Sequence, residues 1–212
     1  MKCVNCNQPI SEIFNYCPYC GALLQEQKGL PLEDINLAFI RADLSGFTGL
    51  SEKMESEDVM NLLNGIFGEF QKIINSYQGI IYQVIGDEIV AVFGLKRGVT
   101  FSFHMAILAA EDIFKKLNEF NKTGKFERPI GLKVGAEADT ASVYKTHGGL
   151  QTALIITDGF KKSLILQKNA EDNTLLVGEN LYQATKSFFE FIPYGELVED
   201  SLSIKAYKFL LR

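Results

Sequence analysis

Apolar and polar positions change period along this chain in an order that predicts its elements. Leu37-Ala-Phe-Ile40 is a short apolar run, read as a buried strand over about Ile35–Ala42 that delivers Asp43. A loop, Leu44–Glu55, follows. Val59, Leu62, Leu63, Ile66, Phe67, Phe70, Ile73, Ile74 and Tyr77 then recur at three- and four-residue steps, one apolar face of a helix near Ser56–Tyr77. Ser56 with Glu57 and Asp58 offers an N-cap and an acidic first turn, and Gly79 ends the pattern. Ile80–Ile85 and Ile89–Phe93 read as two strands with Gly86-Asp87 at the turn. A second helix is expected over Phe101–Phe120, then strands at Ile130–Ala138 and Leu154–Thr157 and a short helix over Phe160–Gln167. Strand Thr174–Val177, helix Glu179–Ser187 and two further strands complete the chain.

Strand, helix, hairpin, helix, strand is the order of a ferredoxin-like α+β sandwich, a central antiparallel sheet flanked by helices. It is expected over residues 34–212. A polar stretch with Gly29 and Pro31, residues 25–33, reads as a linker, and residues 1–24 form a separate small module. The length of 212 residues suits one buried domain with such an appendage. A net charge of −5 argues against a nucleic-acid or anionic-membrane surface. No apolar run reaches the roughly 18–20 residues of a membrane span, and no signal region opens the chain, so a cytoplasmic protein is expected.

All four cysteines lie in the first module, as Cys3-Val-Asn-Cys6 and Cys17-Pro-Tyr-Cys20 with ten residues between the pairs. Two such knuckles can set four thiolates tetrahedrally around Zn²⁺, and Gly21 supplies a tight turn. Two disulfides or a redox pair are the alternatives. The paired spacing and the cytosolic character of the rest favour zinc. The segment looks like the zinc-ribbon modules at many bacterial N-termini. A module of about 24 residues buries too little to fold without its metal, and a four-thiolate zinc has no open position for catalysis. Its expected role is docking or structural.

Asp43 and Asp87 each end an apolar strand. Carboxylates on adjacent rigid strand ends can hold two divalent cations for phosphoryl chemistry. Asp is also common at turns for its own sake. The longer context goes further. Asp43-Leu-Ser-Gly-Phe-Thr-Gly-Leu-Ser-Glu52, followed by Tyr82-Gln-Val-Ile-Gly-Asp-Glu-Ile-Val-Ala-Val-Phe93, resembles the class III adenylyl/guanylyl cyclase catalytic domain. The resemblance runs from Leu37 to Arg212 and is strongest over Leu37–Phe93. It implies a head-to-tail dimer, homodimeric or with another cyclase-type domain. One subunit would give metal carboxylates, the other base-recognition and transition-state residues. It implies Asp43 and Asp87 as ligands of Mg²⁺ or Mn²⁺. It also implies a turn, Leu44, Ser45, Gly46, Phe47 and Thr48, whose backbone N–H groups face the triphosphate of ATP or GTP.

The remaining family positions depart. The base-recognition Lys is Gln83, which still carries hydrogen-bonding groups. The second base-recognition residue aligns with Leu154, which carries none. The ribose-steadying Asn aligns with Lys161, and the Arg that neutralises developing phosphate charge with Ile165. Loss of one such donor typically costs about 10²–10³ in rate. Lys161 or Lys162 is no geometric replacement for a guanidinium. No Arg lies between Arg128 and Arg212 in any register, and the second glycine of a Gly-x-x-x-Gly strand end is Asp139. The expectation is a degenerate, regulatory cyclase domain. The alternatives are the metal-supplying half of a heterodimeric cyclase, then a weakly active homodimer. A diguanylate cyclase is disfavoured by Gly46-Phe-Thr48 and by Ile85.

Overall fold

A computed structural model describes residues 2–3, 5–10, 17–22, 32–52, 54–96, 98–123, 128–144, 150–199 and 202–211, without the side chains of Thr48, Leu50 and Gln151. The chain divides into two compact units, Met1–Leu32 and Glu33–Arg212. The expected linker lies outside the described residues as far as residue 31, and Glu33 already opens the first strand.

In the larger unit the elements run β1 (Glu33–Ser45), α1 (Phe47–Ser51), α2 (Ser56–Ser76), β2 (Ile80–Ile85), β3 (Glu88–Phe93), α3 (Ser102–Thr123) and β4 (Gly131–Tyr144). After a 3₁₀ turn at Leu150–Thr152 come β5 (Leu154–Ile156), α4 (Gly159–Asn169), β6 (Thr174–Gly178), α5 (Glu179–Thr185), β7 (Phe191–Glu199) and β8 (Leu202–Phe209). The strands form one sheet in the order β2-β3-β1-β4-β6-β8-β7, with β5 on β4. Its ladders are antiparallel except β4–β6, which is parallel, so the sheet is mixed.

Period two on β1 sorts the core. Ala38, Ile40, Ala42 and Leu44 pack with Ile66, Phe70 and Ile74 of α2 and Ile107, Ile113 and Leu117 of α3. Leu37 and Phe39 point the other way, into a cluster with Val92, Ala141 and Val143. There α4 lies so close to β4 that a Cβ on Gly135 would stand 2.2 Å from the Ser163 carbonyl oxygen. Only glycine admits that approach.

Two local expectations change. Ser56 is the first helical residue of α2, with Glu55 at the cap position and no side-chain cap bond; Glu57 and Asp58 still stand in the first turn. The loop after β1 contains a short helix, α1, because Phe47 is drawn into the core.

Candidate functional site

The register of β1 places Asp43 between Glu88 of β3 and Lys133 of β4. The Leu44 N–H donates to the Asp87 carbonyl at 3.2 Å, tying the β2–β3 turn to the end of β1. Gly86 makes that turn with φ +59°, a conformation that favours glycine. The two aspartates are thus held by three paired strands. Burial raises the Asp43 carboxyl above the ordinary value. The charges of Asp87 and then Glu88 add to this, and Lys133 opposes it. Carboxylates that repel one another on a half-buried face fit a divalent cation, and their oxygens are the hard donors that Mg²⁺ and Mn²⁺ prefer.

Three further charged residues stand at this face, and their pairing is not signalled by any short motif. Arg41 Nη1 donates to Glu88 Oε1 at 2.6 Å, with both side chains largely buried. Lys133 lies opposite Asp43, its Nζ 4.0 Å from Asp172 Oδ1. Period two along β1 puts Arg41 on the face of Asp43. That signal is present in the sequence; the register 43 to 88 and 43 to 133 is not.

The expected triphosphate turn is only partly free. The amide of Leu44 is committed to Asp87 and its side chain to the core, so Leu44 offers a phosphate nothing. Ser45 ends β1 opposite Gly131, and its Oγ is buried without a hydrogen-bond partner. Gly46 turns the chain with φ +79°, and Phe47 anchors α1 in the core. The side chain of Thr48 lies outside the described residues.

The four positions that the resemblance aligns with base-recognition and transition-state residues separate into surface and core. Tyr82 Oη donates to the Ala153 carbonyl at 3.0 Å, and the Tyr82 ring stacks on Phe160 at 5.3 Å. This pins β2, β5 and the start of α4 together. Gln83 and Leu154 are the next residues on their strands, and both are exposed. Gln83 also lines an open cavity of about 400 Å³ with Asn64, Phe67 and Gln71. Lys161 is exposed, while Lys162 pairs with Asp139 at 2.8 Å. Ile165 is different: it is 1% exposed, in a cluster with Leu166, Ala170, Leu176, Ile204 and Ala206. Strand β7 closes on this helix through Tyr194 Oη to the Asn169 carbonyl at 2.9 Å and Lys168 to Glu199 at 3.8 Å.

In the first unit the four Sγ atoms lie within 4.8 Å of one another. Cys3 and Cys20 are 3.7 Å apart, Cys6 and Cys17 3.5 Å. A tetrahedron of Zn–S bonds of about 2.3 Å requires S···S of about 3.8 Å. A disulfide requires about 2.05 Å. The thiols are free, and the spacing fits the metal. The two knuckles repeat each other: Asn7 N–H donates to the Cys3 carbonyl and Gly21 N–H to the Cys17 carbonyl, both at 2.9 Å. Asn7 and Gly21 both have positive φ.

Comparison with known proteins agrees with these two units. The family described as "Adenylate and Guanylate cyclase catalytic domain" matches residues 30–146, and a zinc-ribbon domain matches residues 2–24. The first match includes Asp43, Gln83 and Asp87 and ends before Leu154, Lys161 and Ile165. Retinal guanylyl cyclase 1 of Bos taurus is 30% identical over 105 residues, 49% of this chain; the chain spans only 9% of that protein. The catalytic core of a rhodopsin-guanylyl cyclase with converted specificity, in complex with ATPαS, superposes with TM-score 0.74 at 18% identity, covering 85% of this chain and 99% of that one. A dimeric guanylyl cyclase domain of Blastocladiella emersonii gives TM-score 0.72 at 20% identity, covering 85% and 99%. No helix among the described residues is long and apolar enough to cross a membrane.

Proposed function

Because the chain belongs to the adenylate and guanylate cyclase catalytic domain family, we propose that residues 34–212 are a signalling domain that binds a metal–nucleotide but does not cyclise it alone. The observation that carries this reading is the contrast between the two halves of the site. Asp43 and Asp87 are tied together by the bond from Leu44 N–H to Asp87, on a face whose like charges call for a cation. The positions for base recognition and charge neutralisation hold Gln83, Leu154, Lys161 and Ile165, none of them a guanidinium. In this reading Asp43 and Asp87 hold Mg²⁺ or Mn²⁺. The amides of Ser45, Gly46, Phe47 and Thr48 face the phosphates of ATP or GTP. The dimer pairs two cyclase-type domains head to tail. The zinc ribbon over residues 1–24, with Cys3, Cys6, Cys17 and Cys20 as ligands, serves docking, and the protein is cytoplasmic.

What the bound metal supplies is charge neutralisation of the phosphates. The chain's own residues do the rest. β1 and the β2–β3 turn orient the carboxylates, and Gly46 turns the backbone after β1 at φ +79°. Calorimetric titration of ATP and GTP with Mn²⁺ tests the reading. Binding that Asp43→Asn and Asp87→Asn abolish is the expected result. Equal binding by these folded variants would contradict it.

A second reading rests on the same resemblance: the residues this chain keeps are those that supply metal, and the ones it alters are those a partner supplies. A complementary cyclase-type domain carrying Lys, Asn and Arg would then complete one active site. Cyclic nucleotide formed only on mixing the two, and lost in Asp43→Ala, would establish it.

A further inference from the structure

The carboxylate face carries one acid more than the pair Asp43 and Asp87. Glu88 stands directly opposite Asp43 in the β1–β3 ladder, where facing side chains lie about 4.5–5.5 Å apart at Cβ. Like charges so placed repel. A third oxygen ligand at this distance would complete a stronger cation site, since affinity for hard divalent ions grows with the number of carboxylates. Glu88 is not free to serve. Arg41, two residues before Asp43 on the same face of β1, holds it at 2.6 Å. The pair is largely enclosed, at 13% and 15% side-chain exposure, so water screens it little. Gly135 is the β4 neighbour of Arg41 and adds no side chain that could compete for the guanidinium. Among the described residues the Arg41 Nε has no hydrogen-bond partner and is buried. An orphaned buried donor is costly, so the ion pair persists in spite of it rather than as part of a fully satisfied network.

We propose that Arg41 sets the cation affinity of this site by holding Glu88 out of the metal's coordination, so that a divalent cation is held weakly by protein alone and firmly only together with a triphosphate. Arg41 is a positioning residue: it acts through Glu88 and touches neither metal nor nucleotide. The inference rests on the reading of Asp43 and Asp87 as metal ligands.

The test is Mn²⁺ titration of the zinc-loaded chain without nucleotide, read by the electron paramagnetic resonance of free Mn²⁺. Arg41→Met frees Glu88 and removes a positive charge, and is expected to tighten Mn²⁺ binding by about tenfold or more. That variant leaves a carboxylate unpaired and can fail to fold. The double substitution Arg41→Met with Glu88→Gln removes both partners at constant net charge, which buried pairs commonly tolerate. It is expected to bind Mn²⁺ within about threefold of the unaltered chain, because Glu88 is no ligand while Arg41 holds it. A double variant that loses as much affinity as Asp87→Asn would make Glu88 a ligand and overturn the proposal. A folded Arg41→Met with unchanged affinity would overturn it as well. Mn²⁺ binding that survives Asp43→Asn would instead overturn the metal-site reading beneath it, and so is told apart.

Discussion

The resemblance aligns the family's arginine with Ile165, and restoring an arginine there is predicted to fail for a specific structural reason. Ile165 is 1% exposed, packed among Leu166, Ala170, Leu176, Ile204 and Ala206 on the part of α4 that the β7–β8 hairpin covers. Ile165→Arg would put a guanidinium into this apolar cluster. An uncompensated buried charge costs about 3–5 kcal/mol, reduced where the long stem lets the head reach water. That is a large part of a total stability of about 5–15 kcal/mol. For a domain of this size, about 2–4 °C of melting temperature follows each kcal/mol, so a fall of about 6–20 °C is expected. Lys161→Asn, at an exposed position of the same helix, is the control and should stay within about 1 kcal/mol. Thermal unfolding followed by circular dichroism reads both. An Ile165→Arg chain that melts with the unaltered one, or that gains nucleotide turnover, would show that residue 165 faces an open site and refute the packing argument.

Other outcomes follow from the same structure. Removal of zinc by a chelator should make all four thiols reactive and unfold the first unit, while the melting transition of Glu33–Arg212 stays in place; thiol titration beside calorimetry reads this. Glu137 is buried under the N-terminal turn of α5, its Oε1 accepting from the Ala138 and Leu181 N–H groups. Burial raises its carboxyl to about 7, against those two bonds, which lower it. The folded chain therefore binds this proton more tightly than the unfolded chain, and stability declines as pH rises from about 4.5 to 7, by up to about 3 kcal/mol. Glu137→Gln keeps an acceptor oxygen and removes the titration. Urea unfolding at pH 5 and pH 7.5 should show the gap between variant and parent widening at the higher pH, and equal gaps would rule the account out.

Much of this was legible in the residues. The helical period over Val59–Tyr77 and the apolar runs around Gly86-Asp87 read directly as α2, β2 and β3, because each buries one face against the same sheet. The place of Asp87 was legible too, since a turn between two apolar strands leaves few places for it. What sequence reading left out depends on register. Nothing local says that residue 43 faces residue 88, so the Arg41–Glu88 pair was invisible although both residues flank the motif. The commitment of the Leu44 amide to Asp87 was hidden for the same reason. The burial of Ile165 depends on a hairpin about 30 residues further along the chain, which no window over α4 contains.

The claim that this chain keeps a metal–nucleotide site without the groups that complete catalysis is tested most directly by cyclic nucleotide formation. The isolated, zinc-loaded chain is incubated with ATP and with GTP, each with Mn²⁺ and with Mg²⁺. The account predicts no product that depends on Asp43. Cyclic AMP or cyclic GMP made by the chain alone and abolished in Asp43→Ala would contradict it.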